Sequence, residues 1–342
     1  MISKSIVGLD IGSTRMRAVE IKHGKSGPTL VQFGQVDVPA DAIQGGVVHD
    51  GAAVTAALRD LWATTRFRSR TVVLGVTNRQ VVVREVTLVN MPDRELRASL
   101  PFQVREMLPL PPEQSVLDFH PLARVDDGRN VRGLLVAAPK DAVLTAVRTV
   151  ERAGLHVERV DLASFALLRA ASRLDDTVEA IVDIGAQATT VVVHVNGEPL
   201  IVRTVPRGGY EITELLAERL GADLSGAEAL KRRVGLNDDE TEPETAGMIR
   251  EVIRPLVREV RGSFAYLSAR EEHQEVARLV LSGGGSLLQG FDAALQSELD
   301  IPVVGADPFA RVRIPRRHSG LRDLTSLPAA TVSIGLGLRA GR

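Results

Sequence analysis

The stretch SIVGLDIGSTRMRAVEI at 5–21 sets the fold, because its plan returns as AIVDIGAQATTVVVHV at 180–195. Each copy is a β-rich apolar run, then Asp-Ile-Gly, a few small polar residues and a second β-rich run. Two strand patterns around a tight turn predict a hairpin, with Gly12 or Gly185 supplying a conformation that other residues resist. Asp10 and Asp183 lie 173 positions apart, about half of the 342 residues. Self-similarity at that spacing predicts a chain of two similar halves.

Composition agrees, since at roughly 150 residues per domain the length suggests two domains with ample core. With 44% hydrophobic and 25% charged residues, the chain lies far from the disordered corner of composition. Lys+Arg 42 against Asp+Glu 43 leaves a formal charge of -1, so no global field draws it to nucleic acid or to an anionic bilayer. No nucleic-acid partner is expected. The absence of cysteine excludes a disulfide framework, a thiolate metal site and a cysteine nucleophile. The gap between Lys4 and Asp10 is too short for a signal-peptide apolar region, and no run approaches 18 apolar residues. The expected location is the cytoplasm. Only five of the 42 basic residues are lysine, a bias of genome composition.

Between the repeats, a helical pattern at 52–62 leads to a strand at 71–76, and from about 81 the character changes. A strand VVVREVTLV, an arginine-rich helix near 93–107, the proline-dense LPLPPEQ at 108–114, strands at 116–119 and 132–138 and a helix at 140–153 follow. The block 81–157 therefore reads as an insert in the first half, and a small-residue helix at 161–172 resumes the main body. In the second half, Gly208-Gly209 precedes a helix with Ile212, Leu215, Leu216 and Leu220 on one face. A helix at 225–234, an acidic loop at 238–244, a long helix at 245–271 and the strand ARLVLSGGG at 277–285 complete the pattern.

Several lookalikes fail on context. Gly24-Lys25-Ser26 resembles the end of a P-loop, but Val19 stands where that motif needs glycine. Gly335, Gly337 and Ala340 match a dinucleotide fingerprint with no helix or acidic partner after them, so a packed terminal helix or strand is the better reading. The seven histidines show no metal-ligand spacing, and no G-x-S-x-G elbow is present. Arginines 311, 313, 316 and 317 form a local basic cluster that reads first as a solvated loop.

The first turn supplies what a triphosphate with magnesium needs. Gly12 lets backbone N–H groups approach phosphate, Ser13 and Thr14 add hydroxyl donors, and Asp10 offers a hard oxygen to hydrated Mg²⁺. Arg15 and Arg17 share one strand face, so at least one can reach the phosphates. The second turn, Asp183 and Gly185 with Gln187, Thr189 and Thr190, would clamp the same phosphates from the other side. Asp183 is then a second magnesium-shell carboxylate or the group that orients an attacking water. Gly283-Gly284-Gly285-Ser286 reads either as a plain turn or as a flat platform for a base. Glu228 and Lys231, three apart on a helix, read either as a surface ion pair or as ribose and base contacts. In this order and spacing the second reading of each is preferred.

These motifs resemble the superfamily of actin, heat-shock chaperone and sugar-kinase ATPases: DIGSTRMR as phosphate-1, VDIGAQATT as phosphate-2 and LSGGGS as the adenosine motif. Within it, the MPDRELRASLPFQVREMLPLPPEQSVLDF block, VDLASFALLRA, PRGGYEITELLA and GAEALKRRVG are similar to the PilM family of type IV pilus assembly proteins, relatives of FtsA. The resemblance implies an α/β actin-like (ribonuclease H-like) fold of two halves with an FtsA-type 1C subdomain. It implies subdomain 1A at 1–80 and 158–176, 1C at 81–157, and a second half at 177–342 with subdomain 2B at about 222–275.

The resemblance also implies ATP and Mg²⁺ between the halves, with Asp10, Gly12, Ser13, Thr14 and Arg17 at the phosphates and Glu228, Lys231, Gly283, Gly284 and Gly285 at the nucleoside. Lysine often stands in relatives at the place of Arg17, a swap that retains charge and alters geometry. Asp10 and Asp183 are the catalytic candidates, and weak or absent hydrolysis is implied. The implied partner is the N-terminal peptide of a PilN-type inner-membrane protein in a groove between 1A and 1C, which places the protein at the inner face of that membrane. Self-association stays open. The alternatives in the superfamily are an FtsA-like division protein, expected to end in an amphipathic membrane helix unlike SIGLGLRAGR, and a carbohydrate kinase, for which 3% aromatic residues leave few rings to stack on a sugar.

Overall fold

The computed structural model describes residues 5–236, 242–268, 275–315 and 327–338. The first hairpin is β1 (Ser5–Ile11) and β2 (Arg15–Gly24), continued by β3 (Gly27–Asp37) and a short pair, β4 (Ile43–Gln44) and β5 (Val47–Val48). Helix α1 (Gly51–Thr65) starts where the Asp50 side chain accepts from the N–H groups of Ala52 and Ala53, and crosses over to β6 (Thr71–Val76). The insert follows as β7 (Val82–Val89), α2 (Asp93–Gln103), β8 (Ser115–Val125) and β9 (Asn130–Pro139), and the chain returns through α3 (Lys140–Arg152), β10 (His156–Leu162) and α4 (Ala163–Ala171). The second half holds the hairpin β11 (Glu179–Ile184) and β12 (Thr189–Val195), then β13 (Glu198–Val205), α5 (Tyr210–Leu220), α6 (Leu224–Val234) and α7 (Pro243–Ser268). It ends with β14 (Arg278–Ser282), α8 (Phe291–Leu299), β15 (Val303–Gly305) and α9 (Thr331–Gly337).

The repeat read in the sequence is a repeat of topology. One sheet runs β3-β2-β1-β6-β10 and the other β13-β12-β11-β14-β15. In each, an antiparallel meander is followed by two strands parallel to the Asp-Ile-Gly strand. Helices α4 and α9 lie between the sheets: Ala166, Leu167, Val332 and Leu336 share one core with Val73 of the first sheet and Ile181, Val192 and Val280 of the second. A Cβ on Gly335 would stand 1.8 Å from the carbonyl oxygen of Ala166, so backbone approach between these helices requires glycine there. Gly335 and Gly337 thus belong to a packed helix, and Gly24 and Lys25 to the end of the β2–β3 hairpin.

The insert forms its own three-stranded sheet, β7-β9-β8, under α2, with Val86, Leu88, Leu96, Leu100, Phe119 and Leu135 inside. Two expectations shift here. Separate structure ends at Pro139 rather than 157, because Val150, Ala153 and Leu155 of α3 and its loop are buried in the core of the first half and β10 pairs with β6. Helix α2 stops at Gln103, two residues after Pro101, and a 3₁₀ turn at 105–107 replaces its last turn. Pro121 sits at a register shift in β8, an edge strand that tolerates its missing N–H.

In the second half Ile212 and Leu216 are buried as expected, but Leu220 is 43% exposed at the end of α5. Helices α6 and α7, in the stretch expected as 2B, share one core with the second sheet. Residues 238–241, 269–271, 316, 317 and 340 lie outside the described residues, so parts of the acidic loop, the long helix, the basic cluster and the terminal motif are not placed. Among the described residues no helix is long and apolar enough to cross a membrane.

Candidate functional site

The carboxyl ends of β1, β6, β11 and β14 face a cleft of about 700 Å³ between the halves. Its floor is the pair of hairpin turns. Gly12 donates its N–H to the Arg15 carbonyl at 3.1 Å, and Gly185 to the Ala188 carbonyl at 2.9 Å. A Cβ on either glycine would stand 2.8 Å from the same acceptor, so both turns close only around glycine. Ser13 and Thr14 line the first turn; Ala186, Gln187 and Ala188 line the second.

Asp10 pairs across β1–β2 with Arg17, and Asp183 pairs across β11–β14 with Ser282. Burial pushes the Asp10 carboxyl from 3.8 up to about 6; the Arg17 guanidinium opposes the rise and Asp183 adds to it. Burial likewise raises Asp183, against the Ser282 hydroxyl and Arg17. Arg17 is itself lowered by burial, with Asp10 holding it up. Both arginines line the cleft, but Arg15 is held by Asp37 at 2.8 Å, whereas Arg17 is the one that interacts with Asp10 and Asp183. One guanidinium beside two half-buried carboxylates leaves a local deficit of positive charge. Among the described residues no group of three or more His, Asp or Glu stands at direct metal-ligand geometry.

The second wall is built on α5. Gly209 and Tyr210 donate their N–H groups to the carbonyls of Gly185 and Ala186 at 3.0 and 2.8 Å, which seats the N-terminus of α5 on the second turn. A Cβ on Gly208 would stand 2.4 Å from the Ala186 oxygen. Lys231 donates to the Gly209 carbonyl at 3.0 Å, to the Thr213 hydroxyl at 2.9 Å and to Glu228. All three ammonium protons are thereby used, and burial lowers the Lys231 pKa. Glu228 also accepts from Thr213 at 2.7 Å and Arg232 at 2.8 Å. Burial pushes its carboxyl up, but Lys231, Thr213 and Arg232 together hold it below the usual range. The pair is therefore a pinned corner of the cleft rather than a loose surface contact.

The glycine triplet closes the same corner. Gly283 has φ +86° and a Cβ there would meet the Ile184 oxygen at 2.4 Å; a Cβ on Gly284 would stand 3.9 Å from an Arg17 nitrogen. Gly283, Gly284 and Gly285 line the cleft beside Leu287 and Leu288.

Three candidates are placed differently from the reading of the sequence. Thr189 is fully buried and donates to the Arg207 carbonyl at 2.9 Å, because strand alternation turns it from the cleft. Ser286 donates to the Gly283 carbonyl at 2.7 Å and braces its own turn. Gln187 spends its side-chain oxygen on the Gly45 N–H of the other half at 2.9 Å, while Arg79 donates to the Gln187 carbonyl at 3.2 Å. The second turn is thus tied to the first half. Asn78, Arg79 and Tyr210 also line the cleft although none is among the site residues expected from the sequence; burial, with Glu214 and Asp41, raises the Tyr210 phenol. Tyr210 directly follows the Gly208-Gly209 pair, the one signal that points to it.

Comparison with known proteins agrees with this geometry. The model of a family described as type IV pilus assembly protein PilM matches residues 8–341. Cell division protein FtsA of Bacillus subtilis is 23% identical over 92% of this chain and 81% of its own length, and FtsA of Neisseria meningitidis 25% over 96% and 88%. Among solved structures, a PilM-PilN type IV pilus biogenesis complex superposes with a TM-score of 0.87 and 28% identity over 98% of both chains. MreB5 of Spiroplasma citri bound to ADP superposes at 0.55 with 12% identity over 97% of this chain and 94% of its own, a likeness of fold. The fold is that of the actin-like ATPases, and the chain belongs to the PilM family of type IV pilus assembly proteins.

Proposed function

We propose that the chain is an ATP-binding scaffold of type IV pilus assembly that captures the cytoplasmic N-terminal peptide of a PilN-type inner-membrane protein, with nucleotide state coupled to capture. The observation that carries this reading is the likeness to the PilM-PilN complex, 28% identical at a TM-score of 0.87 over 98% of both chains. The cleft supports the nucleotide part. On this reading Gly12, Ser13 and Thr14 receive the phosphates from one half and the Gly185–Ala188 turn, braced by α5, from the other. Glu228 and Gly283–Gly285 accept the nucleoside. Asp10 and Asp183 hold hydrated Mg²⁺ through its waters; the ion, when bound, neutralises phosphate charge. Both carboxylates must be ionised for this, so the raised Asp10 pKa makes cation holding fail as pH drops through about 6.

Coupling has a structural route. The insert springs from the cleft wall within six residues of β6, and β7 touches β13 of the second half. Closing the halves on a ligand therefore moves the root of the insert against the first sheet, where the peptide groove between 1A and 1C is expected. The reading requires binding and release, with weak or absent hydrolysis, and places the protein at the inner face of the cytoplasmic membrane through its partner. Fluorescence anisotropy with a labelled PilN-type N-terminal peptide tests it: saturable binding that a scrambled peptide lacks is expected, and equal binding of both overturns it.

A further inference from the structure

Asn78 is 2% exposed, and its side-chain nitrogen is the buried side-chain polar atom without a hydrogen-bond partner among the described residues. Buried donors are nearly always satisfied, and an unmet one costs about 1–3 kcal/mol. The amide cannot turn to find another partner. Its oxygen accepts from the Gln80 N–H at 2.7 Å, which fixes which end of the group is the donor, and the Val81 N–H closes the turn on the Asn78 carbonyl at 3.1 Å.

The place of this donor is set by register. Leu9 pairs with Leu74 in the parallel β1–β6 ladder, so β1 and β6 end on the same side of the sheet, and Asn78 follows β6 by two residues. Asn78 lines the cleft with Asp10, Gly12 and Asp183. Next to it, Arg79 reaches across to the Gln187 carbonyl of the second turn. Asn78 and Arg79 thus both line the cleft that holds the two turns, where acceptor oxygens of an anion would arrive. Asn78 also lines a small cavity of about 20 Å³ with Val81, Val83, Thr190 and Thr204, at the junction of the insert and the second half.

The geometry points to Asn78 as a donor to the terminal phosphoryl group of a nucleoside triphosphate, placed on the turn that leads into the insert. This rests on the reading of the cleft as a nucleotide site and deepens it: a contact made only by the terminal phosphate would distinguish triphosphate from diphosphate at the root of the partner-binding unit.

Calorimetry on the full chain with Mg²⁺ and either ATP or ADP tests the assignment. Asn78→Ala is expected to lose about tenfold in ATP affinity while ADP affinity stays within about twofold. Asn78→Asp retains the acceptor for Gln80 and sets a carboxylate toward the phosphate, so its loss for ATP should be larger. An unchanged ratio of ATP to ADP affinity, with lowered melting temperature in both variants, marks a purely structural amide and overturns the assignment. Loss of ADP binding in both variants does the same. Absence of any nucleotide binding in the unaltered protein overturns the cleft reading itself, and this assignment with it.

Discussion

Replacing Asp10 with asparagine should stabilise the ligand-free protein and remove its response to Mg-ATP. The native carboxyl titrates at about 6 against 3.8 when unburied, so above pH 7 folding must bury a charge that the unfolded chain carries freely. At about 1.4 kcal/mol per pH unit the displacement amounts to about 3 kcal/mol, an upper figure because the site relaxes and admits water. The sign follows from proton counting: between the two values the folded state binds more protons, so stability contributed by this group falls as pH rises from about 4 through 6. An asparagine at this position would remove that penalty with nearly the same shape. Urea unfolding without nucleotide should show Asp10→Asn more stable by about 1–3 kcal/mol at pH 7.5, with the gain about halved at pH 5. Thermal melting should rise with Mg-ATP in the native chain and not in the variant. A destabilised variant at pH 7.5, or an equal gain at both pH values, would refute the picture of a desolvated carboxylate that Arg17 only partly offsets.

Asp183→Ala should weaken Mg-ATP binding in calorimetry while circular dichroism and melting stay native; unchanged affinity would make the second hairpin structural only. Gln187→Ala removes the side-chain bond to Gly45 across the cleft, worth about 1 kcal/mol, and should speed nucleotide release in stopped-flow displacement. Gly335→Ala forces a Cβ to within 1.8 Å of the Ala166 oxygen and should cost about 2 kcal/mol or more in urea unfolding. Replacing residues 82–139 by a short linker should leave a folded core and abolish peptide capture, because β7, α2, β8 and β9 close on their own small core; retained capture would place the groove elsewhere.

The two halves are legible because hairpin periodicity and Asp-Ile-Gly are local signals, and their recurrence at 173 residues needs no knowledge of packing. What lies across the cleft is not. Gln187 reads as a ligand contact from its place in the turn, yet its amide belongs to Gly45, a partner 142 positions away. Thr189 is misplaced by one step of strand alternation, which decides whether a hydroxyl faces ligand or core. The boundary at 139 is hidden because the apolar stripe of α3 looks the same whether it serves the insert or, as found, the core beneath α1. Asn78 carries no motif: its significance comes from an amide nitrogen left unpaired among the described residues.

On the proposed function, one cleft couples nucleotide to partner. The most direct measurement is the Kd of a labelled PilN-type N-terminal peptide with and without saturating Mg-ATP, and of ATP with and without saturating peptide. Coupling between two sites is reciprocal, so the account predicts the same fold-change in both directions, about fivefold or more. Peptide affinity that is indifferent to Mg-ATP, in a chain that binds both ligands, would contradict it.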